Sequence, residues 1–128
     1  GMRAHRDSGL TGIRGEAAAG FPAIETPLLA LCSLPEADLD ARRLLEALFE
    51  IMSELDDTTL VRRGGIEALA AVKRCARDLL QSGALRQASW RDAVHTVDRE
   101  FVARRLSPGG AADCLSVMLF LIWLAREQ

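Results

Sequence analysis

The apolar positions of this chain recur mostly at three- and four-residue steps, the spacing of one face of an α-helix. Leu44, Leu45, Leu48, Phe49, Ile51, Met52 and Leu55 form the strongest such stripe, with Arg42, Arg43, Glu46, Glu50 and Glu54 on the opposite face. Asp38 or Asp40 can cap this helix, which the pattern carries to about Leu55. A further helix is predicted from about Gly65 to Gln81, with Ile66, Leu69, Val72, Ala76, Leu79 and Leu80 inward, and Ser82-Gly83 stops it. Another over about 85–105 buries Trp90, Val94, Val97, Phe101 and Val102. Ser107-Pro108-Gly109-Gly110 breaks the chain before a last helix from about Gly110 to Arg126.

Upstream, a short helix is predicted over 26–33, and residues 3–27 read as a Gly-rich ordered loop with at most one turn through Glu16-Ala17-Ala18-Ala19. No segment alternates with the two-residue period of a strand. The expectation is an all-α, compact bundle of about five helices, one domain over 1–128, with Gly1 before Met2 a scar of tag removal.

Composition narrows the function classes. Hydrophobic residues make up 49% and charged residues 27%, the balance of a soluble globular domain. The formal net charge of −2 gives no basic field for nucleic acid or an anionic membrane, and the absence of Tyr removes much of the usual base-stacking surface. The most apolar run, Cys114 to Ala125, is shorter than the roughly 20 residues that span a bilayer. Cys32, Cys75 and Cys114 are far apart and lack CxxC spacing, as expected of reduced core thiols in a cytoplasmic protein. No nucleophile elbow, HExxH or P-loop is present, so covalent, zinc and Walker chemistry are not expected.

Three connections carry chemistry a plain bundle does not need. Gly12-Ile13-Arg14-Gly15-Glu16 sets an Arg and a Glu among glycines; they can line a ligand or simply pair with each other. Asp56-Asp57-Thr58-Thr59 precedes Arg62-Arg63-Gly64-Gly65. Its carboxylates suit a hydrated Mg²⁺ carrying polyphosphate, and its arginines suit phosphate itself; alternatively Asp56 or Asp57 caps the next helix. Arg104-Arg105 precedes Ser107-Pro108-Gly109-Gly110 and Asp113, a helix start with exposed amides and nearby arginines. There Asp113 can equally be a favourable charge near a helix start.

In order, Gly9–Pro22, Glu54–Gly65, Asp98-Arg99-Glu100-Phe101 and Leu106–Asp113 resemble the triphosphoribosyl-dephospho-CoA synthases, over essentially the whole chain from residue 3. That resemblance implies an all-helical transferase that joins ATP to 3′-dephospho-CoA and releases adenine, making a prosthetic-group precursor for citrate lyase or malonate decarboxylase. Carried over by position, it implies Glu16 and Asp57 as catalytic carboxylates and Asp56 and Asp57 as Mg²⁺ ligands. Arg14, Arg62, Arg63, Arg105, Gly109, Gly110 and Asp113 would bind substrate and its phosphates. Thr59 stands where many relatives are expected to carry Asn. The resemblance covers the C-terminal half of such enzymes, and their upstream Lys-Pro-Gly and His-Lys-Gly segments do not occur here. The expectation is therefore a chain inactive alone, working as a homodimer or with a separate upstream-half polypeptide. The alternative is a non-catalytic helical interaction module or a degenerate family member.

Overall fold

The computed structural model describes residues 22–127. Five α-helices follow in order: α1 Pro22–Cys32, α2 Ala41–Glu54, α3 Thr58–Ser82, α4 Trp90–Ala103 and α5 Gly109–Glu127. Short 3-10 turns at Glu36–Asp38 and Ala84–Arg86 join α1 to α2 and α3 to α4. No strand occurs among the described residues, as the helical periodicity requires.

Helix α2 is the hub. It packs most extensively on α3 and also contacts α1 and α5, while α4 leans on the Ala84–Arg86 turn. Its core stripe is the predicted one: Phe49, Ile51 and Met52 are buried, with Leu55 just beyond its end. Around them close Leu31, Leu60, Leu69, Val72, Ala76, Leu79, Leu85, Phe101, Cys114, Met118 and Ile122. Asp40 caps α2, its carboxylate accepting the Arg43 N–H at 3.0 Å. At the other end Arg77 of α3 donates to the Ser53 carbonyl at 3.0 Å, satisfying an oxygen that the last turn leaves without a helical partner. Glu46 gathers Arg42, Arg43 and Arg86, tying α2 to the second 3-10 turn.

Four details depart from the sequence reading. Helix α1 covers Pro22–Cys32, so 22–27 is not loop, and Pro27 lies inside the helix. Helix α3 begins at Thr58, and Gly65 marks a kink inside it rather than its start. Ile66, the first residue past that kink, is 59% exposed. Val102 is 69% exposed because Val94, Val97 and Phe101 fill the α4 stripe and the next residue turns about 100° away from it.

Candidate functional site

Asp57 lies in the three-residue link between α2 and α3 and is only 4% exposed. Its Oδ1 accepts the N–H groups of Thr59 at 3.0 Å and Leu60 at 3.3 Å, the N-cap arrangement for α3. Its Oδ2 accepts the Gly110 N–H of α5 at 2.9 Å, 53 residues further along the chain. One buried carboxylate thus caps two helices, at the pole of each where a negative charge is favourable. The approach is close enough that a Cβ on Gly110 would stand 2.9 Å from the Asp57 carboxyl carbon.

The kink in α3 follows from Gly65, at φ 77° and ψ −176°, a conformation essentially confined to glycine. Opposite it, α4 ends in a Schellman motif: the Leu106 N–H reaches the Phe101 carbonyl at 2.8 Å and the Arg105 N–H reaches Val102 at 3.1 Å. The residue that turns the chain there is Arg105, at φ 56°, where glycine is usual. An arginine in left-handed backbone costs about 1–2 kcal/mol.

Between the kink and this turn lies a pocket of about 350 Å³, lined by Leu60, Arg63, Gly64, Glu67 and Ala68 of α3 and by 104–107. The lining contains three arginines, Arg63, Arg104 and Arg105, and one acidic residue, Glu67. Arg104 is paired with Glu100 at 3.3 Å. Arg63, Arg105 and Glu67 make no ion pair among the described residues. The volume lies within the range of small-molecule sites, and the excess of positive charge suits an anionic group with several oxygens.

The pocket brings together Arg63 and Arg105 from two of the three predicted loops. Arg62 is exposed on α3 outside the lining, and Asp113 is exposed on α5 beyond its first turn. Gly109 is exposed, and the Gly110 amide is spent on Asp57. Asp56 pairs with Lys73. Asp57 turns both of its oxygens onto backbone amides, whereas Asp56 gives Oδ1 to Lys73 and is part-exposed. Among the described residues no group of three or more His, Cys, Asp or Glu side chains could hold a metal ion. Arg14 and Glu16 lie outside the described residues. The sequence reading passed over Glu67, which the kink at Gly65, between it and Arg63, leaves on the pocket wall. It also passed over Lys73, whose partner Asp56 is 17 residues away and leaves no local signal.

Comparison with known proteins places these features in a family. The family model of the ATP:dephospho-CoA triphosphoribosyl transferases, CitG, matches residues 1–128. A relative from Salmonella gallinarum is 41% identical over 115 residues, covering 88% of this chain and 38% of its own length. One from Acinetobacter calcoaceticus is 37% identical over 129 residues, covering 99% of this chain and 44% of its own. A third, from Citrobacter koseri, is 37% identical over 133 residues, covering 98% and 42%. Each bears the name "probable 2-(5″-triphosphoribosyl)-3′-dephosphocoenzyme-A synthase". The chain spans about two fifths of the length of these curated relatives, and no solved structure matches it. It belongs to the ATP:dephospho-CoA triphosphoribosyl transferase family.

Proposed function

We propose that this chain supplies the polyphosphate grip for transfer of the triphosphoribosyl group of ATP to 3′-dephospho-CoA, with release of adenine. The observation that carries this reading is the convergence of Arg63 and Arg105, from separate elements and without ion-pair partners among the described residues, on one pocket. In such a transfer the bond from ribose C1′ to adenine breaks and one from C1′ to an acceptor hydroxyl oxygen forms. The acceptor proton must go to a base, and the departing adenine needs a proton. The triphosphate is untouched, so binding energy gained on it can position C1′ for the exchange. Arg63 and Arg105 do that work here, Mg²⁺ enters as part of the MgATP substrate, and Glu16 remains the proposed base.

The relatives are more than twice as long, and the proposal assigns the acceptor side of the site to the length this chain does not span. The exposed Phe120 and Trp123, stacked at 6.1 Å on α5, support a covering partner, either a second copy or a polypeptide carrying the remaining length. Service to citrate lyase or malonate decarboxylase and a cytoplasmic setting complete the proposal. Among the described residues, no helix is long and apolar enough to cross a membrane.

Calorimetric titration of MgATP into the chain and into Arg63→Ala tests the grip. The expected result is affinity at least tenfold weaker in the variant, about 1.4 kcal/mol. Equal affinities, or no binding by the unmodified chain, would refute it.

A further inference from the structure

The pocket has two walls that are remote in sequence. One is the first part of α3, with Leu60, Arg63, Gly64 and Glu67; the other is the link between α4 and α5, with Arg104 to Ser107. Two guanidiniums can grip one polyphosphate only if the spacing between their walls is fixed, since a displacement of about 1 Å in a positioning element can cost orders of magnitude. Asp57 spans that gap. Its Oδ1 holds the Thr59 and Leu60 amides three to four residues before Arg63, and its Oδ2 holds the Gly110 amide five residues after Arg105. It is buried at 4%, so water does not compete for these bonds.

We infer that Asp57 is a positioning residue, a carboxylate clamp that sets the distance between the Arg63 wall and the Arg105 wall, and not a group that touches substrate or metal. This rests on the polyphosphate reading of the pocket for its consequence, but not for its geometry. A carboxylate is required because all three partners are N–H donors. Asn has one acceptor oxygen; if that oxygen keeps the Thr59 and Leu60 amides, its NH₂ group faces the Gly110 N–H, donor against donor. Asp57→Asn therefore preserves the α3 cap and opens the clamp. Gly110→Ala opens it from the other side, because the added Cβ would stand 2.9 Å from the Asp57 Cγ and Oδ2 and 3.1 Å from its Oδ1.

The test uses the whole chain and two readouts. Amide hydrogen exchange reads the clamp directly: in Asp57→Asn, Gly110 should exchange at least tenfold faster while Thr59 and Leu60 keep their protection. Titration of inorganic triphosphate reads the consequence: Asp57→Asn and Gly110→Ala should each weaken binding at least tenfold. Asp40→Ala, which removes the cap of α2 outside the pocket, should lower thermal stability and leave affinity within about twofold. Unchanged exchange at Gly110 would overturn the clamp, as would an affinity loss in Asp40→Ala equal to that in Asp57→Asn. If the unmodified chain binds no triphosphate, the polyphosphate reading fails by itself and the exchange result still decides whether Asp57 holds the two walls together.

Discussion

Two helices of this bundle end on a residue in left-handed backbone, and they solve the same problem differently. Helix α3 ends on Gly83, at φ 74°, where no heavy atom lies within 4 Å of a would-be Cβ. Space is not what calls for glycine there; the backbone angle is. Helix α4 turns on Arg105, at φ 56°, and accepts the strain of a side chain in that region. Gly83 lies outside the pocket that contains Arg63, whereas Arg105 lines it. Where only folding is at stake the chain uses the residue that folding favours; beside the pocket it departs from that rule. A local rule broken at one site and kept at its counterpart is the pattern expected where function has set the residue.

Exchanging the residue types at these two positions gives the largest expected effects and would break the comparison if it failed. Arg105→Gly should raise unfolding stability by about 1 kcal/mol, read by denaturant titration, because it relieves left-handed strain. The same change should weaken MgATP at least tenfold, so stability and affinity move in opposite directions. Gly83→Ala should lower stability by about 1 kcal/mol and leave affinity unchanged. If Arg105→Gly is stabilised and still binds ATP as well as the unmodified chain, the arginine is not there for the ligand.

A smaller effect sharpens the comparison from outside the pocket. Glu50 on α2 is half-buried, and desolvation first, then the neighbouring Glu46 charge, raise its pKa; Arg86 opposes them. A carboxyl with a folded-state pKa above its unfolded value binds more protons when folded, so its contribution to stability is full at low pH and is lost as pH rises through the folded value. Glu50→Gln should therefore raise the melting temperature at neutral pH, and the gain should disappear as the pH falls below the ordinary carboxylate range. ATP affinity should not change. An affinity loss in this variant would mean that unfavourable positions influence the ligand wherever they lie.

Much of the bundle was legible in sequence because α2 and the far part of α3 are amphipathic over several turns, and Asp40 and Gly83 are strong local end signals. The arginines of the pocket were legible too, since Arg63 and Arg105 stand beside glycine-rich breaks. What periodicity could not reveal was the use of Asp57. An acid followed by two threonines fits a cap and an ion site equally well, and the Gly110 partner is supplied by the fold. The left-handed angle at Arg105 was hidden for the same reason: composition marks such a position only when glycine occupies it. Glu67 was hidden too, because the kink at Gly65 interrupts the helical spacing between it and Arg63.

The central claim is that the pocket between the α3 kink and the α4–α5 link holds polyphosphate. Addition of inorganic triphosphate to isotopically labelled chain, followed by amide chemical shifts, tests it most directly. The account predicts shifts concentrated at residues 63–68 and 104–107, lost in Arg63→Ala. Shifts confined to other residues, or none at millimolar triphosphate, would contradict it.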